Sequence, residues 1–293
     1  RLVAFMLGHL RMNVNQAIDA LFAITADLSF DDSENDIDRE RNSTILRDSL
    51  ETILQERGIS PETKMNDPNA SSKRSKVVLC AATSANVIHP HVFRTYPSRG
   101  SSLNPTIVEA LCATMAIQSH FLPVKIGPQR TQKSFVGGPL GANNPTRSLL
   151  EEAGKVFGKD RRVSQIISLG CGLPRVFSIK SSERMDVDRI LRDITTDCET
   201  VANDLASRLS SIDAYLRLNV IRGMESFSMK EWDQLGNIET HTDNYLAMGN
   251  VSDSLDSSLR RLQARVGSVT LSQLSRDTFI CARYRYSHRH RSA

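Results

Sequence analysis

Hydrophobic residues recur along this chain at two spacings, and each spacing predicts a different kind of element. Between residues 14 and 28 the apolar positions lie three or four apart, which predicts an amphipathic helix. The segment 2–11 is apolar on most sides and predicts a buried helix. Asn42 and Ser43 are suited to begin a third helix, which ends near Arg57 before Gly58.

Short apolar runs without helical spacing predict buried strands in the next part of the chain. These runs are 77–83, 92–96, 124–126 and 165–170. Helical patterns at 105–118 and 145–157 lie between them. Strands that alternate with helices are typical of an α/β sandwich with a mainly parallel sheet, and we expect this fold class.

The pattern changes near residue 183, where helical segments become longer. Helices are predicted over 184–209 and 240–265, with a shorter one from the capping box Ser228–Glu231. Only Tyr215–Val220 predicts a strand there. We therefore expect three segments: an α/β domain over 1–182, a helical extension packed on it over 183–274, and a basic, disordered tail over 275–293.

Composition and charge narrow the class of protein. The chain has 293 residues, 40% of them apolar, and a net charge of +4. Four arginines close to the end of the chain account for that charge: Arg283, Arg285, Arg289 and Arg291. A nucleic-acid footprint needs a basic face on the fold itself, so we expect no nucleic-acid partner.

The cysteines indicate a reducing compartment. They stand at 80, 112, 171, 198 and 281, without metal-ligand or redox-motif spacing, and their odd number argues against a disulfide framework. No apolar run approaches the length of about 18 residues that a membrane span needs. We expect a cytoplasmic location, with peripheral attachment to membranes left open.

The run with the most chemical content is Phe135–Pro145, which reads FVGGPLGANNP. This glycine-dense loop leads into a helix through Asn144 as N-cap and Pro145 at the first helical position. It resembles the second catalytic loop of patatin-like acyl hydrolases, whose usual form is Asp-Gly-Gly-Leu-Gly-x-Asn-Asn-Pro. In that register the catalytic aspartate falls on Gly137.

Further motifs carry the resemblance in the same order along residues 1–180. Matching segments are Ala82–Asn86, Phe93–Tyr96, Pro105–Thr114, Leu149–Ala153 and Ile167–Gly172. One departure is Met115–Gln118, where family members read Ser-Ala-Ala-Pro. The resemblance implies that Gly137, Gly138, Gly141, Asn143 and Asn144 form the scaffold of an active-site loop.

The start of the chain resembles the helix that directly follows the nucleophile elbow in fungal members of the family. The resemblance implies that Arg1 comes immediately after a Gly-x-Ser-x-Gly elbow, and that the serine and the oxyanion loop lie further upstream. The 293 residues contain no Gly-x-Ser-x-Gly. We therefore expect a partial, N-terminally truncated patatin-like phospholipase domain over 1–182.

Two functions follow from this resemblance. The first is lipid acyl hydrolysis by a serine esterase of the phospholipase A type, which acts on glycerolipids at a lipid or membrane surface in lipid metabolism. This chain has neither dyad residue, so we expect no catalytic residue in it, no cofactor and no metal. The alternative is a pseudoenzyme, a binding or signalling module whose helical extension contacts a protein partner. The segment Val269–Leu274 resembles the start of a nucleotide-binding receptor region.

Two other motifs with possible chemistry fit structural roles better. His89 and His91 are two residues apart without a third ligand, which is weak as a metal site. Cys171 lies between two glycines, but no histidine is near it in sequence.

Other nucleophile and base candidates are also weak. Ser84 and Ser134 do not lie in elbows, so neither replaces the missing nucleophile. Glu151 and Glu152 are the carboxylates nearest to the glycine loop, and the pattern predicts that both are exposed.

Overall fold

The computed structural model describes residues 1–30, 38–68, 75–99, 103–173, 190, 194–210, 212, 214–225, 227, 234–264 and 267–275. These residues form a mixed α/β structure with two compact units. The first unit gathers Arg1–Pro145, Gly170–Glu199 and Asn219–Ala247, and the second gathers Thr146–Leu169, Thr200–Leu218 and the remainder from Met248. Each unit is therefore built from segments that are distant in sequence.

Three helices open the first unit: α1 (Leu2–Gly8), α2 (Val14–Thr25) and α3 (Arg39–Glu56). They confirm the helices predicted near 2–11, 14–28 and 42–57, with somewhat different ends. Asn13 and Gln16 form a reciprocal capping box at the start of α2. Phe5 and Met6 of α1 and Ile24 of α2 are fully buried in one apolar core.

Helix α3 begins earlier than its sequence pattern predicts. The Asp38 carboxylate caps it by accepting from the Arg41 backbone N–H at 2.8 Å. Asn42 is fully buried within the helix, where its Oδ1 accepts from Ser29 N–H at 3.0 Å and its Nδ2 donates to the carbonyls of Ser29 and His120. The prediction that Asn42 and Ser43 begin the helix is wrong, because Asn42 instead holds the chain segment before α3.

The main sheet has four strands in the order β2-β1-β4-β3. The strands are β1 (Val78–Thr83), β2 (Asn86–Arg94), β3 (Val124–Ile126) and β4 (Lys133–Phe135). Every pair in this sheet is antiparallel. Only two residues, Ser84 and Ala85, join β1 to β2, and so short a connection permits only a hairpin. The predicted mainly parallel sheet is not confirmed here, because an apolar run does not encode the direction of its partner.

Helix α4 (Ile107–Met115) packs on β1 and starts at a capping box of Thr106 and Glu109. The Thr114 hydroxyl donates to the Cys80 carbonyl at 2.6 Å and ties the helix to the strand. A short turn, α5 (Pro139–Ala142), follows β4 and lies against β1 and β2. The glycine loop is thereby fixed at one end of the sheet.

The remaining helices are α6 (Thr146–Phe157), α7 (Glu199–Leu209), α8 (Leu235–Leu246), α9 (Gly249–Gln263) and α10 (Leu271–Ser275). The remaining strands are β5 (Arg162–Val163), β6 (Ile166–Leu169), β7 (Tyr215–Leu218) and β8 (Val269–Thr270). In the second unit β6 and β7 pair in parallel, and β5 pairs antiparallel with β8. Its separate core contains Leu150, Leu205 and Leu274.

Several predicted features can be followed into the structure. The strand at 165–170 is confirmed as β6, and the helix at 145–157 as α6, which begins at Thr146. The helix predicted over 240–265 is two helices, α8 and α9, because the backbone leaves the helical region at Met248. The boundary at 182 and 183, the capping box Ser228–Glu231 and the tail from 276 onward lie outside the described residues.

Candidate functional site

The glycine loop leaves β4 and runs beside β1 and the end of α4. The Val136 N–H donates to the Ala82 carbonyl at 3.0 Å, and the Ala82 N–H donates to the Gly137 carbonyl at 2.7 Å. The Gly138 N–H donates to the Thr114 carbonyl at 2.8 Å. Three backbone hydrogen bonds thus fix the two positions at which the dyad aspartate and its neighbour are expected.

Gly137 has a backbone that a side chain does not tolerate well. Its φ is +103°, which lies outside the regions that residues with a Cβ adopt readily. A Cβ placed there would lie 3.3 Å from the backbone of Ala116 and Ile117, just after α4. The residues that crowd it belong to Met115–Gln118, the second departure from the family pattern. The backbone at this position therefore favours glycine, and a side chain there would be strained and tightly packed.

The other two loop glycines also lie against neighbouring backbone. A Cβ on Gly138 would overlap the Cys80 carbonyl and the guanidinium of Arg1. Gly141 has a φ of +71°, and a Cβ there would overlap the carbonyl of Val87 on β2. Both glycines permit close approach of the loop to the neighbouring backbone.

Arg1 is the side chain that binds this loop from outside. Its Nη2 donates to the Gly138 carbonyl at 2.7 Å and also to the Ala142 carbonyl. Burial lowers the pKa of the Arg1 guanidinium from its ordinary value, while nearby Cys80 and Cys171 oppose that change. A cation is thus held at the point where α5 turns, although no local sequence signal predicts this contact.

Asn143 and Asn144 both hold a segment from much later in the chain. The Asn143 Nδ2 donates to the Thr196 carbonyl at 2.6 Å, and the Asn144 Nδ2 donates to the Cys198 carbonyl at 3.1 Å. Asn144 is buried, and α6 begins two residues after it. The two amides therefore join the loop to residues 196–198. The prediction that Pro145 is the first helical residue after an Asn144 cap is wrong by one position, because α6 begins at Thr146.

A polar network beside the Gly170–Gly172 turn was not foreseen from the sequence. The buried Asn219 accepts from the Gly172 N–H at 2.7 Å and donates to Glu199 Oε1 at 3.0 Å. Its own N–H donates to the hydroxyl of Tyr245 at 3.2 Å. Cys171 itself is exposed. The network fixes the backbone around this cysteine and supplies no base to it.

The two histidines on β2 are placed differently from each other. His89 is exposed, whereas His91 packs edge-on against Phe93 and Phe135. Burial, with smaller effects from Lys133 and Arg94, lowers the pKa of His91 to about 4. Among the described residues no group of three or more His, Cys, Asp or Glu side chains could hold a metal ion. His91 is a neutral aromatic neighbour in the core at ordinary pH.

The remaining candidates lie on several different elements. Ser84 lies in the β1–β2 turn and Ser134 on β4 pairs with Lys125. Glu151 is exposed as predicted, but the prediction that Glu152 is exposed is wrong. The Glu152 side chain is 4% exposed, and its carboxylate accepts from Lys155 Nζ at 2.8 Å one helical turn later. The ion pair with Lys155 therefore accounts for the buried Glu152 carboxylate without a catalytic role.

No described helix is both long and apolar enough to cross a bilayer. No family model matches the chain, and no curated protein is significantly similar to it.

Proposed function

We propose that this chain derives from the patatin-like lipid acyl hydrolases, serine esterases of the phospholipase A type. The observation that carries the proposal is the contact between Arg1 and Gly138. The resemblance expects Arg1 directly after the nucleophile elbow and Gly138 directly after the dyad aspartate. These residues are 137 positions apart in sequence, yet the guanidinium donates to the Gly138 carbonyl at 2.7 Å. This proximity supports the proposal, because the resemblance expects the two segments to be neighbours in a patatin-like active site.

The proposal includes the loss of hydrolysis by this chain. The resemblance places the dyad aspartate at Gly137, where a φ of +103° and the Ala116 backbone 3.3 Å from an added Cβ make any side chain strained. Removal of a general base costs about 10²- to 10⁴-fold in rate. The side chains seen in hydrogen bonds at this loop are those of Arg1, Asn143 and Asn144, and none of them is a general base.

A non-catalytic role as a binding or signalling module is the second candidate. It is favoured by the same loop, because Gly137, Gly138 and Gly141 are each closely surrounded while the catalytic group is absent. If a single substitution were enough to recover catalysis, we would expect the backbone at position 137 to accept an aspartate without crowding. Under this candidate the partners are a protein bound through the helical extension or a lipid surface, at a cytoplasmic or membrane-peripheral location.

We also propose a more specific architecture than the mixed α/β fold. It is a three-layer patatin-like sandwich over 1–182, followed by the helical extension. Strand β1, buried from Leu79 to Ala82, with α4 packed on it, supports this architecture. Among the described strands, only the β6–β7 pair is parallel, and only this pair supports a mainly parallel sheet.

The decisive experiment is fluorophosphonate labelling of the native protein from its source cell, with the labelled residue located by mass spectrometry. We expect no labelled serine in folded protein. A labelled serine shortly before Arg1 would overturn the loss of activity and keep the lineage. A native sequence without a strand and a tight glycine turn leading into Arg1 and α1 would overturn the lineage itself.

A further inference from the structure

A groove of about 560 Å³ runs between α2 and α3 in the first unit. Its residues from α2 and the segment before it lie at helical spacing, and those from α3 face them. The lining residues are Met12, Gln16, Asp19, Ala20, Ala23, Asp48, Ser49, Thr52, Ile53, Glu56 and Arg57. We call this feature the acidic groove.

The base of the acidic groove is apolar, and the side chains on its α2 side are small. Met12 and Ile53 are buried beneath it, and the short side chains of Ala20 and Ala23 line the α2 side. Small side chains allow a further helix to approach to an axial distance of about 8–10 Å. The α2 residues that line the groove, 16–23, extend over about 10 Å, which is two helical turns.

The rim of the acidic groove carries carboxylates that are not neutralised. Asp19, Asp48 and Glu56 are all exposed, and none forms an ion pair within the part of the chain that the structure describes. The one cation in the lining is Arg57, whose guanidinium donates to the Leu10 carbonyl at 3.4 Å and to Gln16 Oε1 at 3.3 Å. Arg57 therefore lies at one end of the groove, and the other charged side chains of its lining are the carboxylates of Asp19, Asp48 and Glu56.

We propose that the acidic groove docks a basic amphipathic helix of a partner protein. Two turns of helix match its length, an apolar stripe would contact Ala20, Ala23 and Ile53, and flanking Lys or Arg side chains would meet the three carboxylates. An anionic lipid surface is disfavoured, because the exposed rim charges would repel it. This inference does not depend on the proposed lineage.

The test measures binding of a fluorescein-labelled peptide of about 16 Leu, Ala and Lys residues with apolar positions at i, i+3, i+4 and i+7. Two further probes are its Glu-for-Lys counterpart and a shuffled peptide of the same composition. The protein variants are the triple change Asp19→Asn, Asp48→Asn and Glu56→Gln, and the control Asp27→Asn, an exposed acid that does not line the groove. Fluorescence anisotropy is recorded at low and at physiological salt.

We expect the Lys peptide to bind the unchanged protein and the Asp27→Asn control equally. The triple variant should bind it about tenfold more weakly at low salt, because each exposed pair contributes a modest amount. Equal binding to the triple variant overturns the proposal, and so does equal binding of the shuffled peptide, which would show charge attraction alone. A groove-dependent dimer in sedimentation would overturn it in favour of a second copy of this chain.

Discussion

The guanidinium of Arg1 donates to the carbonyl oxygen of Gly138, which lies 137 residues later in the chain, at 2.7 Å. The same nitrogen donates to the carbonyl of Ala142, so one side chain holds both ends of the short α5 turn. Because the guanidinium is largely buried, its hydrogen bonds to the loop compensate for lost hydration. The glycine loop therefore depends on the first helix for its position.

Replacing Arg1 with methionine should loosen that loop. The change keeps the apolar stem and leaves the Gly138 and Ala142 carbonyls without their donor, at a cost of about 2–3 kcal/mol in the free energy of unfolding. Urea unfolding measures the loss. The control is Arg41→Met on α3, because Arg41 is exposed and its side chain makes no hydrogen bond or ion pair with the described residues. Equal midpoints for the two variants would contradict a role for Arg1.

Introducing an aspartate at position 137 should not create a hydrolase. A positive φ and crowding by Ala116 and Ile117 make any side chain there costly, by about 1–3 kcal/mol. We expect Gly137→Asp to be destabilised and inactive toward a chromogenic fatty-acid ester. Gly158 also has a positive φ, +83°, but open space around it. Gly137→Ala should therefore lower the unfolding midpoint more than Gly158→Ala, and the reverse order would refute the crowding.

Asn42 should be among the most sensitive polar residues. It is fully buried and makes three hydrogen bonds, two to Ser29 and one to the His120 carbonyl. Asn42→Ala leaves those backbone groups unsatisfied and should cost about 2–4 kcal/mol. Asn15→Ala on the exposed side of α2 serves as the reference and should cost little. Thermal unfolding by circular dichroism compares them, and a similar melting temperature for both would contradict the assignment.

His91 should make the protein sensitive to mild acid. Its pKa is about 4 when folded against an ordinary 6.5, so between these values the unfolded chain binds a proton that the folded chain does not. The free energy of unfolding therefore falls as the pH falls from about 6.5 to about 4. Above about 6.5 the histidine is neutral in both states, and the full stability is present.

Urea unfolding at several pH values tests this histidine. We expect His91→Gln to be less stable near neutral pH, where packing against Phe93 and Phe135 is lost, but to show a shallower decline toward acid. His89→Gln, at an exposed position of the same strand, should keep the original decline. An unchanged slope in His91→Gln would exclude His91 as the source.

The described cysteines should differ in their reaction with iodoacetamide. Cys171 is exposed, whereas Cys112 is buried and its burial raises the thiol pKa to about 11. At pH 8 we expect Cys171 to be alkylated in the folded protein and Cys112 only after unfolding. Peptide mass spectrometry assigns each site, and rapid alkylation of Cys112 in folded protein would show that its helix opens locally.

Periodicity in the sequence was sufficient for most helices and for the buried strands. Phe5, Met6 and Leu79 are buried in elements that their apolar runs predicted, whereas Val14 and Ile18 of the predicted apolar spacing in α2 are exposed. The prediction did less well at element ends and at short strands such as β4, because a three-residue strand has too few positions for a period to be read. The pattern of Phe135–Pro145 likewise identified a tight glycine loop, and Gly137 and Gly141 do have positive φ.

Only the tertiary structure showed how these elements pair and pack against one another. The direction of β2 follows from its two-residue turn, and the roles of Asn42, Asn143 and Arg1 follow from partners between 13 and 141 residues away. Local sequence sets the preference of a backbone for helix, strand or turn. It does not contain the position of a distant carbonyl, and a buried polar side chain is placed by the partner that satisfies it.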